Sequence, residues 1–277
     1  MKILVTGASG FIGRYVVGQL LGVGCDVVAT SVKAELVLDN VTYIPCDLNV
    51  ERNDFYELFG QPEVLIHLAW QGLPNYNELF HIERNLFSGY RFLKQMIEAG
   101  TRNINVIGTC FEYGLQEGCL AENLPAIPNT VYGVAKNTLR IFMEQLQKKF
   151  PFDFKWIRLF YLYGEGQNKN SILEQLKSAT EHRNKIFNMS GGEQLRDYLH
   201  VKKAADNIAK IALQNKVQGI INNCSGTPIS IRCLVEEYLQ KTKTKIELNR
   251  GYYPYNNYEP FAFWGDTKKL KTIVGDF

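Results

Sequence analysis

Short apolar runs alternate with amphipathic stretches along most of the chain. The runs are rich in β-branched residues and end at turn residues, which is typical of strands, and they cover Lys2–Thr6, Asp26–Thr30, Thr42–Pro45, Glu63–Leu68, Asn103–Gly108 and Phe154–Leu159. The other stretches have the apolar spacing of helices, at Phe11–Val23, Tyr76–Ala99, Val131–Lys149, Ile172–His182, Val201–Gln214 and Ile231–Thr242. Several runs are apolar almost throughout, as in strands that are buried on both faces. The pattern predicts an α/β fold with a doubly wound parallel sheet.

The alternation weakens from about Gly164, and the last part of the chain carries a tyrosine-rich segment, Gly251–Tyr255. We therefore expect a small C-terminal lobe above the carboxyl edge of the sheet. The sequence contains no internal repeat and no low-complexity linker. The two parts are expected to share one compact body.

The composition excludes several classes of protein. The chain has 277 residues, of which 45% are hydrophobic, and this is enough to bury a core without disulfides or metals. The 31 Lys and Arg residues against 28 Asp and Glu residues give a net charge of +3, and no basic run is dense enough to indicate a nucleic-acid partner. No segment approaches about 18 uninterrupted apolar residues, so we expect no membrane partner either.

Six cysteines lie along the chain at intervals of nine residues or more, and no Cys-x-x-Cys pair occurs. The four histidines likewise lack the spacing of metal ligands. This distribution argues against a zinc site and against a secreted disulfide framework. We expect no metal site and a protein of the reducing cytoplasm.

A glycine-rich turn from Gly7 to Gly13 directly follows the first predicted strand and opens the first predicted helix. Glycines at the end of a strand let the backbone approach a pyrophosphate, and a helix N-terminus offers unpaired N–H groups and a favourable dipole. The chain contains no Gly-Lys dipeptide, which excludes the lysine-bearing phosphate loop of ATPases and GTPases. The turn therefore predicts a nucleotide site whose phosphates lie on Gly7, Ser9, Gly10, Phe11, Ile12 and Gly13.

The turn departs from the Gly-x-Gly-x-x-Gly fingerprint, since Gly7 and Gly10 are three residues apart. In this respect Thr6–Gly13 resembles the signature of the extended short-chain dehydrogenase/reductases, the nucleotide-sugar epimerase and dehydratase family. Further motifs of that family follow in order and cover nearly the whole chain: Asp47-Leu48, His67-Leu68-Ala69, Asn85, Thr109 with Tyr113-Gly114, Tyr132 to Lys136, Arg158-Leu159-Phe160 with Tyr163-Gly164, and Arg196-Asp197-Tyr198 before His200-Val201.

The resemblance implies a Rossmann-type sheet and a division of the chain into two parts. Residues 1–163 are then a dinucleotide-binding domain that carries the catalytic residues. Residues 164–277 are mainly a substrate-binding lobe. The resemblance also implies contacts with the adenine, phosphate and ribose of a dinucleotide from Asp47, Leu48, Leu68 and Ala69.

The residues after the second strand bear on the choice of cofactor. A carboxylate about twenty residues beyond the glycine loop normally binds the ribose 2′-hydroxyl of NAD, but Thr30, Ser31, Val32 and Lys33 stand there instead. Hydroxyls and a lysine tolerate or attract a 2′-phosphate, so Ser31 and Lys33 favour NADP. NAD is the alternative if Lys33 is an ordinary surface lysine.

Reduction of a carbonyl by hydride needs a proton donor at the developing alkoxide, and a tyrosine can serve when a nearby cation lowers its pKa. Tyr-x-x-x-Lys on a helix supplies such a pair, because residues four apart share a face. The chain contains this pattern at Tyr90/Lys94, Tyr132/Lys136 and Tyr198/Lys202. Only Tyr132 opens a predicted helix after the fifth strand, 23 residues beyond Thr109 at the end of that strand.

We therefore predict Tyr132 as the catalytic acid/base. Lys136 is predicted to lower the pKa of Tyr132 and to hold the nicotinamide ribose. Thr109 is predicted to form a hydrogen bond with the substrate carbonyl, with a simple strand cap as the alternative role.

The residues after Thr109 distinguish among the reactions of this family. Members that remove water from a hexose carry an Asp-Glu pair there and the related decarboxylases carry a Glu. This chain has Cys110 and Phe111 at those two positions, and its glutamate, Glu112, comes one residue later than in the Asp-Glu pair. Dehydration and decarboxylation are therefore disfavoured, and Cys110 and Phe111 become candidate substrate contacts.

Two further positions are predicted to meet the substrate. The loop with Arg196 resembles one whose arginine holds the pyrophosphate of a nucleotide sugar, and a guanidinium suits that anion. A salt bridge to a surface carboxylate is the alternative role of Arg196. Tyr161 stands where many relatives have an Asn that contacts the substrate.

The segment Gly108–Gly114 is most similar to enzymes that reduce dTDP-4-keto-6-deoxyhexoses. The resemblance therefore implies an NAD(P)H-dependent 4-keto reductase of a nucleotide-linked 6-deoxy sugar. A nucleotide-sugar 4-epimerase that retains its NAD is the first alternative. A dinucleotide sensor without catalytic activity is a more distant one.

The family also pairs two long helices across a two-fold axis into a four-helix bundle. The predicted helices Tyr76–Ala99 and Val131–Lys149 match them, and Phe87, Leu139 and Phe142 provide apolar surface. We therefore expect a homodimer.

Overall fold

Short strands recur along the whole chain, and seven of them join in one sheet. The computed structural model describes residues 1–32 and 40–275. The strands, in chain order, are β1 (Lys2–Thr6), β2 (Asp26–Thr30), β3 (Thr42–Tyr43), β4 (Val64–His67), β5 (Asn103–Thr109), β6 (Gly118–Leu120), β7 (Asp153–Leu159), β8 (Tyr161–Tyr163), β9 (Ile186–Met189), β10 (Leu195–His200), β11 (Gly219–Asn223), β12 (Pro228–Ser230), β13 (Glu247–Arg250) and β14 (Phe263–Gly265).

The seven-stranded sheet has the order β11-β7-β5-β4-β1-β2-β3. All of its neighbouring strands are parallel. Parallel neighbours need crossover connections, and these place helices on both faces of the sheet. The predicted α/β fold with a doubly wound, Rossmann-type parallel sheet is confirmed.

The helices are α1 (Gly13–Gly22), α2 (Phe55–Leu58), α3 (Phe87–Ala99), α4 (Val131–Gln147), α5 (Ile172–Glu181), α6 (Val201–Ala212), α7 (Ile231–Thr242) and α8 (Lys268–Val274). A π-helical turn, His81–Leu86, leads directly into α3, and a 3-10 turn, Cys110–Tyr113, follows β5. Within residues 1–32 and 40–275, none of these helices has the length and apolar character needed to cross a membrane.

The helix predicted over Tyr76–Ala99 starts too early. Residues 76–79 lie outside the helix, which enters α3 through the π-helical turn. The backbone N–H of Tyr132 donates to the carbonyl of Tyr76 at 2.8 Å. This tertiary contact, which local periodicity does not report, holds the segment before the helix against α4.

Two apolar cores lie on the two faces of the sheet, because successive residues of a strand point to opposite sides. Ile3 and Val5 of β1 pack with α1, α6 and α8, whereas Leu4 packs with α2, α3 and α4. Each such fully buried side chain contributes about 1.5–3 kcal/mol by leaving water. The two cores hold the strand ends, and therefore the site above them, in place.

The smaller part of the molecule contains the sheets β12-β10-β8, β13-β9 and β14-β6. Leu176 of α5, Phe187 of β9 and Val235 of α7 form its core. The central sheet nevertheless contains strands from both sides of residue 163, because β11 pairs with β7. In addition, α6 from the second part packs on α1 from the first. The division into residues 1–163 and 164–277 thus stays a prediction about function, with one sheet common to both parts.

Candidate active site

The glycine turn after β1 packs against the end of β4. Gly7 has a φ of +67°, and a Cβ there would lie 2.8 Å from the backbone N of Ala69. A Cβ on Gly13 would lie 2.2 Å from the carbonyl oxygen of Gly7. Glycine is required at both positions, because any side chain would collide with backbone. The turn therefore presents bare backbone and the N-terminus of α1 at the carboxyl edge of the sheet.

A cavity of about 520 Å³ lies beside this turn. The predicted cofactor residues that line it are Gly7, Ser9, Gly10, Ser31, Asp47, Leu48, Leu68 and Ala69. The lining also includes His67, Trp70, Gln71, Asn85, Ser88 and Gly89, which were not predicted to contact the cofactor. The other predicted cofactor residues lie outside the lining: Phe11, Ile12 and Gly13 in the turn and the start of α1, and Tyr132 and Lys136 in α4. Lys33, predicted to favour NADP, falls outside the described residues.

Three hydroxyls meet at the end of this cavity that is near β2. The Ser31 Oγ is 2.7 Å from the Ser9 Oγ and 2.6 Å from the Tyr43 hydroxyl. Asp47 accepts hydrogen bonds from the backbone N–H and the side-chain amide of Asn49, at 3.0 and 2.7 Å. The residue that follows β2 thus presents a hydroxyl to the cavity, with one partner in the glycine turn and the other on β3.

Tyr132, Lys136 and Thr109 are brought together above β5. Thr130 caps α4 by accepting from the Gly133 N–H at 3.1 Å, and this places Tyr132 in the first turn with Lys136 one turn later. Thr109 is the last residue of β5, and its side chain, which accepts from the Phe111 N–H at 3.3 Å, lies close enough to Tyr132 to lower the pKa of the phenol. Burial raises the pKa of Tyr132, Tyr76 adds to the increase, and Thr109 opposes it.

Lys136 is 2% exposed, and its Nζ donates to the Ile107 carbonyl at 2.8 Å. The same Nζ lies 3.9 Å from the centre of the Trp70 ring. Burial lowers the pKa of Lys136 to about 7, and the charge of Glu112 opposes this shift. The lysine therefore lies close to its charge transition near neutral pH.

Aromatic rings surround the Tyr132 phenol. Ring centres of His81, Tyr76, Trp70 and Phe111 lie 5.3, 5.8, 6.0 and 6.1 Å from that of Tyr132. Among them, the sequence proposed only Phe111. Trp70 follows the His67-Leu68-Ala69 motif directly, so its position could have been inferred, whereas Tyr76 and His81 reach the site through a loop and the π-helical turn.

The histidine of this aromatic cluster has a defined orientation. The Trp70 Nε1 donates to the His81 Nδ1 at 3.0 Å, and the His81 Nε2 lies 2.9 Å from the Asn75 carbonyl. The proton of the neutral ring is therefore on Nε2. Single π-helical turns are frequent at functional sites, and this one orients His81 toward the Trp70 indole.

The other two Tyr-x-x-x-Lys pairs do not reach Thr109. Tyr90 on α3 packs edge-on against Phe142 at 5.3 Å, and Lys94 pairs with Glu98 at 3.1 Å. Tyr198 belongs to β10 and Lys202 to α6, so this pair does not share a helix face. Of the three pairs, Tyr132/Lys136 is the one that the structure places next to Thr109, and its catalytic role stays a prediction.

The predicted substrate residue Arg196 is buried in an ion pair. Its Nη2 donates to the Glu259 Oε2 at 2.9 Å, and its Nη1 donates to the carbonyls of Leu195 and Phe261 at 2.8 and 3.1 Å. The Tyr161 hydroxyl donates to the other oxygen of Glu259 at 2.6 Å. Arg196 thus forms a salt bridge, but with a largely buried carboxylate rather than the surface carboxylate considered from the sequence. Glu259 lies 63 residues away in a loop, and no sequence pattern pointed to it.

Cys110 and Phe111 follow Thr109 as expected. Cys110 is buried, and burial raises the pKa of its thiol. Phe111 stacks on Tyr76 at 4.6 Å. Within the described ranges 1–32 and 40–275, no group of three or more His, Cys, Asp or Glu side chains is placed to hold a metal ion.

Comparisons with known proteins give a consistent result. A model of the NAD dependent epimerase/dehydratase family matches residues 3–224. The chain is 34% identical over 270 residues to dTDP-6-deoxy-L-talose 4-dehydrogenase (NAD(+)) of Aggregatibacter actinomycetemcomitans, covering 96% of this chain and 99% of that protein. It is 25% identical over 287 residues to GDP-6-deoxy-D-talose 4-dehydrogenase of the same organism, covering 100% and 92%.

The fold is also similar to that of solved proteins. MoeE5 in complex with UDP-glucuronic acid and NAD has a TM-score of 0.87 and 22% identity, over 99% of this chain and 93% of that one. At this identity the likeness concerns the fold alone.

Proposed function

The chain belongs to the NAD-dependent epimerase/dehydratase family, and from this we propose that it reduces the 4-keto group of a nucleotide-linked 6-deoxy sugar with NADPH. The observation that carries the proposal is the junction of Thr109, Tyr132 and Lys136 beside a cavity lined by the glycine turn. A proton donor, a cation and a hydroxyl at one strand end are the groups that carbonyl reduction needs.

The cavity fits a dinucleotide. Its volume is about 520 Å³, and Gly7 keeps its wall free of any Cβ where a pyrophosphate would approach. Ser31, Asp47 and Trp70 all line the cavity. The first two offer polar contacts for the adenosine, and Trp70 provides an aromatic wall beside Lys136. NAD(P)H, when bound, supplies the hydride.

The protein's own residues act on the oxygen of the ketone. Thr109 holds that oxygen by a hydrogen bond, and Tyr132 donates its phenolic proton to the alkoxide that forms at C4. The resulting phenolate is stabilised by the charge of Lys136, which also holds the nicotinamide ribose. Because the site is buried and largely aromatic, water is excluded and these interactions are strengthened.

Two observations support the proposed direction and sugar. Cys110 and Phe111 occupy the positions where a dehydratase needs Asp and Glu, so elimination has no acid/base pair. The relative at 34% identity is named as a 4-dehydrogenase of dTDP-6-deoxy-L-talose, and oxidation of a C4 hydroxyl is the reverse of reducing a 4-keto sugar. A dTDP-4-keto-6-deoxyhexose is therefore the proposed substrate.

A turnover assay tests this function. Purified protein is mixed with a dTDP-4-keto-6-deoxyhexose and NADPH, and absorbance at 340 nm is followed together with the product mass. We expect one NADPH consumed per product, and a product two mass units heavier than the ketone. Interconversion of two sugar epimers without net oxidation of cofactor would instead establish the epimerase, and no conversion of any ketosugar would refute both.

The cofactor preference has its own test. The hydroxyl of Ser31 lies where an NAD enzyme normally has a carboxylate, so we propose that NADPH is preferred over NADH. In the Ser31→Asp variant the new carboxylate can still accept from Tyr43, but it repels a 2′-phosphate. We expect the ratio of the two Kd values to move toward NADH by about tenfold or more. Tighter binding of NADH by the unchanged protein, measured by fluorescence titration, would contradict the proposal.

Binding of the substrate is proposed to involve Tyr161, Cys110, Phe111 and Arg196. Arg196 now pairs with Glu259 at 2.9 Å, so a bound pyrophosphate has to share the guanidinium with that carboxylate or replace it. Arg196 also fixes the backbone carbonyls of Leu195 and Phe261. It therefore couples the anion site to the C-terminal loop.

We propose a homodimer that buries α3 and α4. Phe87, Val134 and Ile141 on these helices are exposed in the single chain. Leu139, which the sequence analysis assigned to this surface, is fully buried in the protomer's own core, and Phe142 packs on Tyr90. Sedimentation is expected to show a dimer at micromolar concentration, and Ile141→Glu is expected to weaken it.

A further inference from the structure

A buried carboxylate, Glu112, lies directly behind Thr109. Its Oε1 accepts from the backbone N–H of Thr109 at 2.9 Å and from the Trp156 Nε1 at 2.8 Å. Its Oε2 accepts from the Arg158 Nε at 2.8 Å. Glu112 has no exposed surface. Three N–H donors, one of them from a guanidinium, therefore hold the carboxylate in place.

The contact between the Glu112 carboxylate and β5 requires a glycine in the strand, at Gly108. A Cβ on Gly108 would lie 2.2 Å from the Trp156 Nε1 and 2.6 Å from the Glu112 Oε1. The 3-10 turn after β5 also holds Thr109 and Glu112 together. The Thr109 side chain accepts from the Phe111 N–H, and the Glu112 side chain accepts from the Thr109 N–H. The position of Thr109 therefore depends on the carboxylate of Glu112.

Lys136 is attached to the same strand end as Glu112. Its Nζ donates to the Ile107 carbonyl, two residues before Thr109. Burial favours the neutral amine and lowers the pKa of Lys136 to about 7, whereas the charge of Glu112 raises it. Lys136 and Glu112 are thus both hydrogen-bonded to the backbone of the last residues of β5, and the charge of Glu112 acts on Lys136.

Among residues 1–32 and 40–275, the other titratable groups that face Lys136 carry no negative charge at neutral pH. Burial lowers the pKa of His67 to about 3 and also lowers that of His81, and Lys136 contributes to both shifts. Burial raises the pKa of Tyr132, which keeps it protonated. The Trp70 ring adds a cation–π contact at 3.9 Å. Glu112 is the carboxylate that acts on the lysine.

We propose that Glu112 is a positioning residue of the reduction site, which fixes Thr109 for the substrate carbonyl and supplies the countercharge that keeps Lys136 protonated. The inference rests on the proposed reductase function. Tyr132 passes its proton to the C4 alkoxide and becomes a phenolate, and a charged Lys136 stabilises that phenolate. Without the Glu112 charge, Lys136 is neutral at the pH of the reaction and the phenolate loses its partner.

The first test measures the lysine directly and needs no turnover. Protein with ¹³C-labelled lysine is titrated by NMR, and the Lys136 signal is assigned by its loss in Lys136→Met. In Glu112→Gln, which keeps an acceptor for Thr109 but has no charge, we expect the midpoint of Lys136 to fall by about one pH unit. Glu237→Gln removes a charge from an exposed i,i+4 pair with Lys241 on α7 and is expected to leave that midpoint unchanged.

The second test follows the reaction. In the profile of kcat/KM for ketosugar reduction against pH, the limb on which activity falls at high pH is expected to move to lower pH in Glu112→Gln by the same amount. Loss of the carboxylate also leaves Arg158 buried without its partner, which lowers stability. The double variant Glu112→Gln with Arg158→Met removes that stranded charge. We expect it to recover Tm but to keep the shifted profile.

The outcomes separate the two hypotheses. An unchanged Lys136 midpoint in Glu112→Gln overturns the inference whether or not the protein reduces a ketosugar. A pH profile that returns to normal together with Tm in the double variant shows a structural role only and also overturns it. Absence of ketosugar reduction in the unchanged protein refutes the proposed function, while the NMR titration still decides whether Glu112 controls the charge of Lys136.

Discussion

The Tyr132→Phe variant is expected to lose about 10²–10⁴-fold in turnover of a dTDP-4-keto-6-deoxyhexose, the usual contribution of general acid–base catalysis. The phenolic hydroxyl is the only group removed, and the ring remains among Trp70, Tyr76 and His81. Binding of NADPH and of the nucleotide sugar is therefore expected to stay nearly unchanged. Steady-state kinetics and fluorescence titration of NADPH measure the two effects separately.

The chain offers a matched control for this substitution. Tyr90 also precedes a lysine by four residues, but it packs on Phe142, away from Thr109. Tyr90→Phe is therefore expected to leave the chemical step unchanged. Near-normal reduction by Tyr132→Phe would show that another group donates the proton.

The Lys136→Met variant is expected to lose both turnover and cofactor affinity. Methionine keeps an apolar stem against Trp70 but cannot stabilise the Tyr132 phenolate or hold the ribose. Turnover is expected to fall on the order of 10²-fold, and the Kd for NADPH to rise about tenfold through loss of a charged hydrogen bond. Lys94→Met, at the exposed ion pair with Glu98, is the control.

The stability of Lys136→Met is expected to rise while its activity falls. A raised Tm would therefore show that the loss of activity is not caused by unfolding. Burial lowers the pKa of Lys136 to about 7, below the value in the unfolded chain, so the unfolded state binds more protons between these two values. The lysine therefore destabilises the fold most at and below pH 7, and this cost disappears as the pH rises toward about 10.4. We expect Lys136→Met to raise Tm at neutral pH and to have no such effect near pH 10. A lower Tm at pH 7 would contradict the buried position of the amine.

The sequence predicted those elements whose pattern is local. The bounds of β1, β2 and α7 agree with the prediction residue for residue, because each is a run with one clear period between turn residues. Strand β6 and the strands from β8 to β14, several of which have only three residues, escaped it. β14 has three residues and pairs with β6, which lies more than a hundred residues earlier, and no periodicity within three residues reports such a partner.

The same distinction between local pattern and long-range contact applies to the residues of the site. Tyr132, Lys136 and Thr109 could be chosen from spacing, because a strand end and the first turn of a helix place them. Glu112 was compared only with the dehydratase pattern, and its inward direction depends on Trp156 and Arg158 on another strand.

The pairing of β11 with β7 has a consequence for synthesis of the chain on the ribosome. β7 is buried in all residues after Asp153, yet its outer edge stays unpaired until residues 219–223 have left the exit tunnel. A product that terminates near residue 163 would expose this apolar edge, which is a template for aggregation. Residues 1–163 therefore cannot complete the central sheet by themselves. Truncation or proteolysis near residue 163 is expected to give an aggregation-prone fragment that the cell degrades, and not a functional domain.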